Sequence, residues 1–328
     1  MAPRVSIDER MRQLQATNRE GNLDQIRELA TKSLNDSCHL IVAEAAKIIC
    51  ERAFSSEITG LIEKWNELIS HSNPIKSDKG CVAKTAIIEA LRLLDCDEPD
   101  IYLAGIHYHQ VEPAWPQSQD TAENVRASSA FAIAISRRIR IVDKLNALVD
   151  LLQGSRSDRI HATKALLETG NESAIPVLRQ KLHAGDPEIE VLGICMSGLL
   201  ELAALPSIPF IAQFLDNPSE LVVCEAAAAL GQCGQPAATQ ALIAVSKRCR
   251  DHEIQRSLLL SIGLSRDPAA IDFLISQLEK ERFAETVLEA LKPSCVYEST
   301  RTRVRQALEK IDDFELSETF DRMCGADR

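Results

Sequence analysis

The chain has 328 residues, 45% of them hydrophobic but only 4% aromatic, and a formal net charge of −11. A core so poor in rings must be filled by Ala, Leu, Ile and Val, which favours closely packed helices over sheet. The acidic balance argues against nucleic-acid binding, which needs a cationic footprint to neutralise phosphates. Ten cysteines without a single CxxC pair signal neither a zinc knuckle nor a redox motif. As small buried hydrophobes they fit a reducing, cytoplasmic setting.

In chain order, MAPRVSIDERMRQ lacks the apolar core of a secretory signal. LDQIRELATKSL (23–34) and SCHLIVAEAAKIICERA (37–53) predict a first helix pair. EITGLIEKWNELI (57–69) with KGCVAKTAIIEALRLL (79–94) predicts a second, and EPDIYLAGIHYH with TAENVRASSAFAIAIS a third. The joints inside the second and third pairs, HSNPIKSDKG (71–80) and GIHYHQVEPAWPQSQDTAEN (105–124), are long. Pro113 and Pro116 forbid helix there, so Gln110 to Gln119 is expected as a stiff, exposed loop. Asp120 followed by Glu123 reads as a capping box that starts the next helix. Equivalent joints of stacked pairs lie side by side. Ser77, Asp78, Lys79 and Lys84 are therefore expected to face His107, His109, Gln110, Glu112 and Trp115.

From about residue 139 the chain repeats. The joints ALLETGNESAI, GLLELAALPSI, ALGQCGQPAAT and SIGLSRDPAAI begin at Ala165, Gly198, Ala229 and Ser261, spaced 33, 31 and 32 apart. The apolar anchors Leu178, Ile211, Leu242 and Leu274 keep the same intervals, and Pro206, Pro236 and Pro268 fall in first turns, where no hydrogen bond is lost. The apolar run 191–215 is interrupted by Glu201, Pro206 and Pro209, which argues against a membrane span. Residues 302–311 predict a polar capping helix, and the acidic stretch from Asp312, with Phe314 and Phe320, is expected to be loose.

A period near 32 with two helices per unit predicts a right-handed α-α superhelix of about eight helix pairs. Its expected parts are 1–138 with two long joints, 139–311 with regular repeats, and a flexible 312–328 tail, in one continuous solenoid. PSIPFIAQFLDNPSELVVCEAAAALGQCG and its neighbours, over 141–291, resemble the HEAT-like repeats of the bacterial type first described in phycobilisome lyases. DKGCVAKTAIIEAL and HQVEPAW…DTAENVR are similar to the central region of bacterial HEAT-like proteins of unassigned function. The resemblance implies an α-solenoid that binds other proteins, with rarer enzymatic members. HEAT-like di-iron hydroxylases carry several His-Glu dipeptides; this chain has one, His252–Glu253, which sets it apart from them.

Three readings compete for the 105–124 joint. The cluster can be purely structural, with Trp115 covering a seam and Asp120 capping. It can be a partner- or ligand-binding patch of Lys84, Tyr108, His109, Gln110, Glu112, Trp115 and Arg126, since Trp and Tyr are enriched at hot spots. Or His107, His109 and Glu112 (or Asp120) hold a metal, because His-x-His in an extended segment points both rings one way. Second helices line the concave face of such solenoids, and their polar positions here include Arg159, His161, Lys164, Glu188, Glu190, Glu225, Glu253 and Arg256. No phosphate-binding glycine motif and no nucleophile elbow occurs, and no cofactor is implied. The expected function is a non-enzymatic scaffold for a protein partner. The alternative is a lyase or metal-dependent hydrolase centred on the 105–124 joint.

Overall fold

The computed structural model describes residues 6–279 and 281–324. It is all-α, with twenty α-helices among the described residues and one two-stranded ladder. The chain divides into two compact units, Met1–Thr169 and Gly170–Arg328.

The first unit opens with α1 (Ile7–Glu20), followed by the pair α2 (Leu23–Leu34) and α3 (His39–Glu51). Next come α4 (Ile58–Ser70), the single turn α5 (Pro74–Ser77) and α6 (Val82–Leu93). Then α7 (Pro99–Ile106) leads through β1 (Val111–Glu112) and β2 (Gln119–Asp120) to α8 (Glu123–Ile135), and α9 (Ile141–Leu151) pairs with α10 (Arg156–Glu168). The second helices stack in succession: α3 on α6, α6 on α8, α8 on α10. Asn22 and Gln25 close α2 with a reciprocal capping box, and its Ile26, Ala30 and Leu34 form one buried stripe at four-residue spacing. By contrast α3 buries Ile41, Val42, Ala45, Ala46, Ile48 and Ile49 around most of its circumference, because it meets α2 on one side and α6 on another.

The second unit pairs α11 (Ile175–Ala184) with α12 (Ile189–Leu202), α13 (Ala204–Ala212) with α14 (Glu220–Gln232), and α15 (Pro236–Arg248) with α16 (His252–Leu264). It ends with α17 (Pro268–Gln277) and α18 (Ala284–Leu291), then α19 (Glu298–Ile311) and α20 (Phe314–Cys324). The register anchors Leu178, Ile211 and Leu242 have 0% exposure and Leu274 has 1%, each contributing about 2 kcal/mol by burial. Second helices α12, α14, α16 and α18 pack in turn, close enough for backbones to touch. A Cβ on Gly231 would lie 2.2 Å from the Ser261 carbonyl oxygen, and one on Gly263 would lie 2.2 Å from that of Ala290. That contact is why these helices are rich in Gly and Ala.

Several expectations change. An unforeseen helix, α1, precedes the first pair and packs on α2 and α3. The stretch expected to be loose folds as α20, because Leu316 and Phe320 share a face at four-residue spacing and bury it; Phe320 is 1% exposed. With it the pairs number nine among the described residues, in keeping with the expected about eight. Residues 1–5 and 325–328, parts of the N-terminal and tail expectations, lie outside the described residues. Among the described residues, no helix is long and apolar enough to cross a membrane.

Candidate functional site

The two long joints of the first unit meet, as their equivalent places require, and the contact starts from Asp78. Its carboxylate accepts from the N–H groups of Ala83 and Lys84, both at 2.9 Å, and so caps α6. To bring those N–H groups round, the chain passes through two left-handed residues, Gly80 at φ +73° and Cys81 at φ +52°. Glycine removes the strain at the first. Lys84 then turns back over the cap. Its Nζ lies 3.4 Å from Asp78 Oδ2, donates to Gln110 Oε1 at 3.1 Å, and sits 5.5 Å over the Tyr108 ring.

Gln110 is the hinge between the joints. Its Nε2 donates to the Asp78 carbonyl at 2.7 Å and to Glu112 Oε1 at 2.8 Å, while Oε1 accepts from Lys84 and from the Tyr108 hydroxyl at 2.9 Å. Glu112 Oε1 also accepts from Gly80 N–H at 2.6 Å and Thr121 Oγ1 at 2.9 Å. Burial alone would raise the Glu112 pKa, but the hydrogen bonds from Gln110, Gly80 and Thr121 outweigh it and hold the carboxyl below its ordinary value. Burial pushes the neighbouring Cys81 thiol up to about 11, so it stays protonated beside Thr121.

A second cluster continues the first. Asp120 Oδ1 accepts from Gln110 N–H and Ala122 N–H, both at 3.0 Å, and its Oδ2 lies 2.7 Å from His109 Nδ1 and 2.8 Å from Arg126 NH1. Burial opposes ionisation here, yet the two backbone N–H groups, His109 and Arg126 together hold the Asp120 carboxyl well below the usual range. Arg126 reaches on to Asp158 with a two-pronged contact, Nε to Oδ1 at 2.8 Å and NH2 to Oδ2 at 3.0 Å. Burial would lower the Arg126 pKa, but Asp158 and Asp120 raise it, so the guanidinium stays charged at 2% exposure. Asp158 in turn forms the capping box of α10 with Ser155. One polar chain therefore runs from the start of α6 through the hairpin to α8 and α10.

This network relocates most of the residues expected to face a partner. Lys84, Gln110, Glu112 and Arg126 are buried, at 0%, 2%, 6% and 2% exposure. They are spent on one another, because a buried charge or amide is costly unless its partners are supplied. Asp120 does not make the expected capping box: α8 begins at Glu123, and Asp120 belongs to β2, paired with Val111. The expected loop is a hairpin with a buried base. Its tip is exposed from Pro113 to Ser118, with Trp115 at 95%, and Val111 and Gln119 are exposed beside it.

Tyr108 is half-buried and His109 exposed at the foot of the hairpin. His107, Glu112 and His109 are not brought together as a metal set. Glu112 is engaged as above, His109 faces Asp120, and His107 ends α7 in an exposed position. Among the described residues, no group of three or more His, Cys, Asp or Glu has the geometry to hold a metal ion. Asp158 was not foreseen, although Asp36, Asp78, Asp120 and Asp158 recur at intervals of 42, 42 and 38. Asp36 also supports a second-helix start, accepting from Cys38 N–H at 2.8 Å. In the second unit, Glu253 and Arg256 line a groove of about 860 Å³ with Glu285, Glu289, Glu318 and Arg322.

No curated protein matches the sequence. Residues 208–292 match HEAT repeats, a stretch that does not include the hairpin. Solved structures similar to the chain include the complex of CpcE and CpcF of phycocyanin lyase from Nostoc sp. PCC7120, 17% identical over 87% of this chain and 94% of that one, with a TM-score of 0.36. The Escherichia coli protein YibA is 13% identical over 99% of this chain and 100% of that one, TM-score 0.38. Human deoxyhypusine hydroxylase in complex with glycerol is 17% identical over 88% and 91%, TM-score 0.29. Helix pairs recur through each unit, and the match over residues 208–292 marks that stretch as HEAT repeats.

Proposed function

We propose that the chain is a non-enzymatic protein-binding scaffold of the cytoplasm, and that the hairpin tip of the first unit is its principal contact. One observation carries the reading: an indole at 95% exposure stands on a hairpin anchored by Gln110, Glu112, Asp120 and Thr121. Leaving a tryptophan in water forgoes the burial of a large apolar surface, which a partner's pocket recovers. The rigid base lowers the ordering cost of binding. His109, exposed at the foot of the hairpin, adds a polar contact.

The test compares tagged wild-type chain with a Trp115→Ala variant in extracts of the source cells, then titrates each purified candidate partner. The expected outcome is a partner whose affinity falls at least tenfold in the variant while its melting temperature is unchanged. Equal capture and equal affinity by both chains would remove the hairpin from the interface.

A further inference from the structure

Helices α6 and α8 both begin in the polar run around the hairpin, and both end at a cavity of about 410 Å³. Its walls are fixed by short bonds. Past α6 the chain turns at Asp95, left-handed at φ +56°, and the N–H groups of Asp95 and Cys96 donate to the carbonyls of Arg92 at 3.2 Å and Leu91 at 3.0 Å. Tyr102 of α7, 1% exposed, donates its hydroxyl to the Cys96 carbonyl at 2.6 Å. Asp97 then ties this turn to the end of α8. Its Oδ1 accepts from Ser136 Oγ at 2.5 Å, and its Oδ2 accepts from the Arg137 N–H at 3.0 Å.

Two guanidiniums line the cavity, Arg92 from the last turn of α6 and Arg137 just past the end of α8. Among the described residues, neither guanidinium has a hydrogen-bond or ion-pair partner. That is unexpected in a chain whose acidic residues outnumber its basic ones, 48 to 37. Arg92 Nε is also shut off from solvent without an acceptor, a loss that folded proteins rarely leave uncompensated. Asp97 lines the same cavity, but its carboxylate is committed to Ser136 and to the Arg137 backbone. A cation in the last turn of α6 suits the helix dipole. The dipole explains neither the orphaned Nε nor the second guanidinium.

We propose that this cavity is a binding site for a small organic carboxylate. Arg92 supplies a planar, two-pronged contact to the ligand's oxygens, and Arg137 adds the second cation. Asp95 and Asp97 limit the ligand to one negative charge, because they line the same cavity and repel a further one. Ala132, Tyr102 and the exposed Ile135 offer an apolar face to the rest of the ligand. The volume is that of a pocket for a metabolite-sized molecule. This site is distinct from the hairpin tip and does not depend on it.

The experiment titrates the full chain with three probes that share a phenyl group: phenylacetate, phenyl phosphate and 2-phenylethanol. Calorimetry and saturation-transfer NMR read the binding. Phenylacetate carries one negative charge, phenyl phosphate close to two at neutral pH, and the alcohol none. Phenylacetate is expected to saturate at one molecule per chain, with a Kd in the millimolar range or below, and to bind more tightly than either other probe. Arg92→Gln keeps the side-chain stem without the charge and should weaken that binding at least tenfold. Arg137→Ala removes an exposed side chain but keeps the N–H that holds Asp97. It should weaken binding at least threefold with an unchanged melting temperature. Absence of saturable phenylacetate binding, equal or tighter binding of either other probe, or a smaller loss in Arg137→Ala would each overturn the proposal. Arg137→Ala leaves the walls intact, so the test stands even if Arg92→Gln does not fold.

Discussion

The two units solve the same packing problem with different materials. In the second, helices α12 to α18 touch through glycine and alanine, and the joints between helices are short. In the first, the added residues go into two long joints, whose polar groups would be left unpaired if they were simply laid over the helices. The chain satisfies them with a run of ion pairs and amide contacts that starts at the Asp78 cap and ends at the Asp158 cap. Close backbone contact gives a repeat that stacks on its neighbours and presents little else. The polar run permits a projecting hairpin, at the cost of burying Lys84, Asp78 and Arg126. Elaboration within this fold thus follows where the joints are long.

Substitutions that strike each solution separately would break or sharpen that contrast. Both tryptophans, Trp65 and Trp115, lie in the first unit, so intrinsic fluorescence follows that unit while circular dichroism follows both. The largest effect is expected for Arg126→Ala, which leaves Asp120 and Asp158 without their shared cation. It should cost the first unit about 3–5 kcal/mol in urea unfolding, and a loss below ~1 kcal/mol would show that the polar run does not hold the unit.

Gly231→Ala puts a methyl group against the Ser261 carbonyl and should cost the second unit about 1–3 kcal/mol. Gly60→Ala serves as its control, because a Cβ there meets only Leu34 Cδ1, at 3.7 Å. In the first turn of α4 it should stabilise by up to about 1 kcal/mol, and the same sign for both changes would refute the packing argument.

Acid should act on the units in opposite directions. Asp120 and Glu112 ionise below their ordinary values, so their contribution is full above about pH 5 and is lost as the pH falls through their lowered folded values. Tryptophan fluorescence should show the first unit weakening from about pH 4 downward, with a flatter profile in Asp120→Asn. Glu225 is the reverse case. Burial, and then the nearby Glu190, raise its pKa, so its charge is a penalty at neutral pH that protonation relieves. Glu225→Gln should therefore raise the neutral-pH melting temperature of the second unit slightly; a fall would mean that the carboxylate has a favourable partner. The smallest change, below ~0.5 kcal/mol, is expected for Trp115→Ala, and a large drop in melting temperature would place the indole in the fold rather than at its edge.

Much of the architecture could be read in advance, because hydrophobic spacing is dictated by local geometry. The predicted 23–34 helix is α2 to the residue, and the 31–33 residue joints mark real pairs. The meeting of the two long joints also followed from repeat logic, and Gly80, Gln110 and Glu112 carry it out. Which side chains would be inside did not follow. Lys84, Gln110 and Arg126 look like surface residues until their partners, 26 to 32 positions away, are in place. The tail was misread for a related reason. Leu316 and Phe320 are too few to signal a helix alone, and α18 supplies the surface that makes them worth burying.

The hairpin has one more implication, for protein engineering. Its anchoring bonds come from Gln110, Glu112, Asp120 and Thr121, and the six positions 113–118 between them are exposed. That segment is a cassette: a foreign epitope or a longer insert can be spliced between Glu112 and Gln119 while the clamps beneath stay shut. A naturally occurring relative would, by the same reasoning, carry a different tip on the same base without refolding.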